Sequence, residues 1–303
     1  MALPEQAVVV PLVLRRRPVD AALAALRPRQ WSKNLLLFGG LVFAAELGDP
    51  TRWLEAGAAF AAYCAASSAA YLVNDVVDAP HDRLHPVKRS RPVARGDLAP
   101  GAALALAAIL AGAALGLAAT LGAPSLAFLA AFSSLQLAYS LGLKRLVLVD
   151  VMAISGLFVL RAGAGATAID VAISPWLLLC TGLLALFLAL AKRRGELVLV
   201  GAERTPGRPV LAGYSLALVD QLVGLVAGAT VVVYALYTFT AHSPAMMATI
   251  PFVVFGVCRY LLLVHGRALG EEPETVLLSD GPILAAVGLW AAAAAAILTL
   301  GGA

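Results

Sequence analysis

Charge is what this sequence has least of. Only 13% of its 303 residues are Asp, Glu, Lys or Arg, while 61% are hydrophobic and the mean hydropathy is +0.89. A soluble domain carries about 25% charged residues, so the shortage excludes an ordinary water-soluble fold. Cysteine is scarce too. Cys64, Cys180 and Cys258 stand far apart inside apolar stretches, which leaves no disulfide framework and no metal-ligand spacing. No signal peptide is evident, because "AVVVPLVL" runs straight into "RRRP" without a small-residue cleavage pattern. No catalytic His or Cys–His arrangement stands out either.

What is present is apolar length. Segments 34–48, 53–73, 101–121, 124–141, 148–169, 175–191, 214–240, 245–265 and 282–302 are apolar, and most approach the ~20 residues with which a helix crosses a bilayer. The expectation is an all-α, polytopic membrane protein of about nine transmembrane helices. Residues 1–33 form a basic cytoplasmic arm and residues 34–303 a single transmembrane domain. The first segment is short and reads as a tilted or partial span. With the N-terminus inside, 20 of the 22 Lys and Arg residues fall on one side; the exceptions are Arg52 and Arg161, the latter within a span. That asymmetry marks a cytoplasmic charged face.

The charge that does occur is gathered. Residues 74–92 read "NDVVDAPHDRLHPVKRSRP". Asp75 and Asp78 are three residues apart and Asp82 is four further on, so a continuous helix would carry all three on one face. Pro80 argues against a helix unbroken as far as Asp82. Clustered carboxylates repel one another unless a cation lies between them. Mg2+, with Mn2+ as a substitute, suits carboxylates that share it with a substrate's phosphates. Lys88, Arg89 and Arg91 would take the remaining phosphate oxygens, and His81 or His85 is placed for a phosphate contact. The bland alternative, a solvated loop that sets topology, needs the bases but not the acids.

Further along, "AKRRGEL" brings Lys192, Arg193 and Glu196 to the end of the sixth span. They read as a second wall of the phosphate site, against a simple Lys192–Glu196 helix-surface salt bridge. Ser133, Gln136 and Ser140 share a helical face, with Tyr139 and Lys144 close to the cytoplasmic end. Lys144 is the substrate contact of that group, and helix–helix hydrogen bonding is the alternative for the serines. Arg161, deep in a span, is either functional or a pin bonded to backbone carbonyls. In "RPRQWSKN", Trp31 is an interfacial aromatic and the Arg and Lys residues are inside anchors, with which a reach of Lys33 and Asn34 to an anionic lipid head group is compatible.

These residues resemble the UbiA superfamily of intramembrane prenyltransferases. Its first Asp-rich motif, N-D-x-x-D-x-x-x-D, is matched by Asn74, Asp75, Asp78 and Asp82. "HPVKRSRPVARG", "RPRQWSKN", "YSLGLKRLVLVDV", "LRAGAGATA" and "KRRGEL" are similar to the decaprenyl-phosphate phosphoribosyltransferase branch. The resemblance implies a UbiA-like helical bundle and a catalytic role for Asp75, Asp78 and Asp82 as metal ligands. It also implies transfer of 5-phosphoribose from phosphoribosyl diphosphate to a polyprenyl phosphate. Asn74, Tyr139 and the basic residues above would bind substrate. The setting implied is a bacterial inner membrane with the site facing the cytoplasm, no nucleic-acid partner, and an oligomer permitted. One departure is the second Asp-rich motif of many members, replaced here by Glu196 and Glu203 among basic residues. The rivals are an aromatic prenyltransferase with a polyprenyl diphosphate donor, an anion transporter and a CDP-alcohol phosphotransferase. The weak second motif, the single buried charge at Arg161 and the missing D-G-x-x-A-R pattern disfavour them in turn.

Overall fold

The computed structural model describes residues 17–43, 46, 48–84, 88–200, 209–240, 244–266 and 273–300, and their regular elements are all helical. Proline punctuates them, because the first helical turn does not need the N–H that proline lacks. Helix α1 (Pro18–Leu26) opens on Pro18 and stops at Arg27, which takes a left-handed conformation. A 3-10 stretch (Pro28–Phe38) leads into α2 (Gly39–Phe43). The long α3 (Pro50–Asp82) follows, its N-terminus capped by Asp49, which accepts from the Thr51 amide at 2.8 Å. After the short α4 (Pro92–Arg95) come α5 (Pro100–Thr120), α6 (Ala123–Leu141), α7 (Val149–Ala168) and α8 (Pro175–Val200). The chain ends in α9 (Leu216–Thr240), α10 (Ile250–Gly266), α11 (Pro273–Ser279) and α12 (Gly281–Leu300).

Among the described residues seven helices are long and apolar enough to cross a membrane, and a shorter apolar helix lies at 281–297. The all-α membrane bundle is as expected. The first segment differs from a continuous span: it is the 3-10 stretch followed by the five-residue α2. The cause is close backbone packing. A Cβ on Gly165 of α7 would fall on the Leu37 carbonyl oxygen, and one on Gly40 would lie 2.8 Å from the Gly165 carbonyl oxygen. The two segments meet backbone to backbone, at Gly40 and Gly165.

Helices α3 and α7 bury 56% of their most apolar windows and α5 only 22%, so α3 and α7 are central and α5 is peripheral. One apolar cluster joins α7, α8, α9 and α10 around Phe187, Leu190, Val223 and Tyr260. A second gathers Tyr63, Leu129, Phe132 and Leu157 where α3, α6 and α7 meet. A third seats α1 on α3 through Ala21, Ala25 and Leu72. Residues 18–33 of the expected arm therefore lie against the bundle: Trp31 Nε1 donates to Ser68 Oγ at 3.0 Å, and Ser68 Oγ donates to the Leu26 carbonyl at 2.9 Å.

Candidate active site

The site is built on the C-terminal turns of α3. That helix continues through Pro80 to Asp82, contrary to the expected break. Pro80 sits in the last turn, where only one intrahelical hydrogen bond is lost and little helix remains to be kinked. At about 100° per residue, Asp75 and Asp82 return to nearly the same angle two turns apart, and Asp78 points to one side. The structure follows that geometry. Arg91 Nη1 bridges Asp75 Oδ1 at 3.3 Å and Asp82 Oδ2 at 2.6 Å, and Arg27 Nη2 also donates to Asp75 Oδ1. Asp78 turns instead to Lys144, whose Nζ lies 3.1 and 3.0 Å from its two oxygens and 3.3 Å from Asn74 Oδ1.

The three acids therefore do not converge as a cage. Among the described residues no group of three or more His, Cys, Asp or Glu is arranged to hold a metal ion by itself. A shared metal still fits the donor set. Asp75 is 1% exposed, and its Oδ2 is buried without a hydrogen-bond partner. Such an atom is costly to leave unmatched, whereas Asp78 is partly open to solvent. One or two carboxylates plus waters and phosphate oxygens is the coordination Mg2+ prefers.

Arg27 escaped the sequence reading, where it counted only as a topology charge. Its left-handed backbone (φ 54°) turns the chain between α1 and the 3-10 stretch. That turn lays its guanidinium over the Tyr71 ring, 4.8 Å from the centroid, and against Asp75. Burial pushes the Arg27 pKa down, and the Asp75 carboxylate opposes that push. The only signal in sequence was a lone arginine directly before the proline of "RPRQWSKN".

Other expected contacts are placed variously. Lys88 and Arg89 lie on a 3-10 turn (Lys88–Ser90) beside Arg91, with Arg89 exposed. Lys33, Tyr139 and Lys192 are half-buried. His85 lies outside the described residues.

Three of the expected contacts, Asn34, Arg193 and Glu196, are buried. Asn34 is fully buried, with its Oδ1 receiving Arg161 Nε at 2.8 Å and its Nδ2 donating to Cys64 Sγ at 3.3 Å. It faces the bundle interior. Arg161 also donates to the Leu157 carbonyl at 3.2 Å and stacks over Phe132 and Phe158, which is the pin reading. Arg193 is fully buried between Asp150 Oδ2 and Glu196 Oε2, both at 2.6 Å. Arg193 and Glu196 hold each other because α8 runs on past the apolar segment's end at residue 191 to Val200, which folds the charged turn into the interior. Asp150 and Tyr214, which complete this network, were missed; the one available signal was a lone acid heading the apolar run of α7.

The profile of the UbiA prenyltransferase family matches residues 35–276. The decaprenyl-phosphate phosphoribosyltransferase of Mycolicibacterium smegmatis is 34% identical over 281 residues, spanning 86% of this chain and 87% of its own. The protein of that name in Mycobacterium tuberculosis H37Rv is 35% identical over 295 residues, spanning 93% and 96%. Among solved structures, a UbiA homolog from Archaeoglobus fulgidus bound to GPP and Mg2+ matches with a TM-score of 0.72 at 16% identity. That match covers 92% of this chain and 99% of the homolog, and at such identity it speaks for the fold.

Proposed function

This chain belongs to the UbiA prenyltransferase family, and we propose that it is an integral membrane enzyme transferring 5-phosphoribose to a polyprenyl phosphate. The donor is phosphoribosyl diphosphate and the by-product is diphosphate. Similarity to the mycobacterial relatives supports the reaction. The observation that carries it to this site is the α3 terminus, where Asp75, Asp78 and Asp82 are each matched by Arg27, Arg91 or Lys144. A site of that composition offers oxygen ligands on one side and phosphate-binding cations on the other.

In this reading an oxygen of the acceptor phosphate attacks ribose C1, and the bond from C1 to the diphosphate oxygen breaks with its electron pair. The nucleophile is already anionic, so no side chain has to remove a proton. Asp75 and Asp78 would hold Mg2+ (or Mn2+), and the bound ion would offset the negative charge gathering on the leaving diphosphate. Arg91 and Lys144 share the same oxygens, and Arg27, Lys88 and Arg89 receive the outer phosphates. The polyprenyl chain lies along the apolar helices with its head group at the charged end. Residues 34–303 are then one catalytic domain. The distribution of Lys and Arg directs that charged end to the cytoplasm, as in a bacterial inner-membrane enzyme.

The test uses purified protein in detergent with Mg2+, decaprenyl phosphate and radiolabelled phosphoribosyl diphosphate. Label should pass into the organic phase with wild type, and Asp75→Ala and Asp78→Ala should each reduce the rate by roughly a hundredfold or more while remaining folded. Folded wild type that moves no label across several acceptor lengths, yet joins a prenyl diphosphate to an aromatic acceptor, would overturn the donor assignment in favour of the other family chemistry.

A further inference from the structure

Lys144 reaches Asp78 and Asn74 from the short connection between α6 and α7, on a single 3-10 turn (Leu143–Arg145). The connection ends at Leu148, whose φ of 66° and ψ of −39° lie in a region that L side chains rarely adopt. Such a backbone persists only where its surroundings hold it. Here the Leu148 amide donates to Tyr214 Oη at 2.7 Å, and that hydroxyl donates to Asp150 Oδ1 at 2.6 Å. Asp150 is fully buried and fixed through its other oxygen by Arg193. A second contact joins the same two segments: a Cβ on Gly213 would fall on Val147 Cγ2, so the residue before Tyr214 abuts the residue before Leu148.

We propose that Tyr214 is a positioning residue of the transfer site, holding the Leu148 turn so that Lys144 is presented to Asp78 and Asn74. Tyr214 bonds to Leu148 and Asp150 and to none of the three site acids of α3, and acts only through the loop. The proposal rests on the reading that Lys144 belongs to the transfer site. Burial, then the hydrogen bond to Asp150, raises the Tyr214 pKa, so the hydroxyl keeps its proton through neutral pH and stays a donor to Asp150.

The experiment compares full-length wild type and Tyr214→Phe in detergent by amide hydrogen exchange of the segment 143–150, and by KM and kcat with phosphoribosyl diphosphate. Losing one hydrogen bond at the Leu148 amide should speed exchange of that segment about threefold to tenfold, with the helical part of α3 unchanged. KM for the donor should rise by a similar factor and kcat should fall less. Unchanged exchange overturns the proposal, as does a loss of kcat at unchanged KM, which is the mark of a smaller folded fraction. Should Tyr214→Phe not fold, Gly213→Ala presses on Val147 and is read by the same exchange of 143–150. Exchange registers the loop and not the reaction, so it still decides the proposal if the wild type proves to use a different donor.

Discussion

At Asn34 a side-chain amide faces two ways, toward Arg161 and toward Cys64, inside the apolar bundle. A buried guanidinium deprived of that acceptor is left with an unmatched donor, at a cost of about 1–3 kcal/mol. Asn34→Leu should therefore lower the thermal unfolding temperature in detergent and leave KM for the soluble donor unchanged. An unchanged unfolding temperature with a raised KM would return Asn34 to the substrate. Residue types were legible in the sequence here and partners were not. Asn34 and Arg161 are 127 residues apart, and no spacing encodes their meeting. The acids Asp75, Asp78 and Asp82 and the bases Lys88, Arg89 and Arg91 were legible because they are close in sequence, the acids on one helix end and the bases on or beside a 3-10 turn. Arg27 was not, since it reaches Asp75 from α1 across a reversal that no local pattern announced.

At the scale of elements, hydropathy and length located the long helices, because a span must satisfy its own backbone over the width of the bilayer. They failed where that rule is relaxed. The stretch 28–43 is 3-10 followed by a short helix because it is shielded by α7, with Gly40 and Gly165 admitting backbone against backbone. Overpacking such a joint costs about 1–3 kcal/mol or more, since carbonyl groups cannot rotate aside as side chains do. Gly165→Ala should thus lower the unfolding temperature clearly. Gly39→Ala, where an added Cβ meets nothing within 4 Å, should be tolerated. Equal behaviour of the two variants in the same melting assay would refute the joint. The end of α8 was misplaced for a related reason. An apolar count stops at the first charge, but Arg193 is paired with both Asp150 and Glu196, and the helix continues indoors past it.

For the whole molecule, the apolar bundle and the charged end are separately maintained. The helices are joined by clusters such as Phe187 with Tyr260 and Tyr63 with Phe132, and the site acids already have basic partners. Chelation with EDTA should therefore abolish transfer, with recovery on adding Mg2+, yet leave the unfolding temperature where it was. A fall in that temperature would mean that the metal carries part of the fold.

The pairing of Asp75 and Asp82 through Arg91 has a further consequence, for the order in which things bind. Each of these carboxylates already has a cation against it, so a bare dication must displace a side chain to reach either one. When the two arrive together, each displaced side chain meets a new partner of opposite sign at once. The metal and the diphosphate should then bind with strong positive cooperativity, each raising the other's affinity.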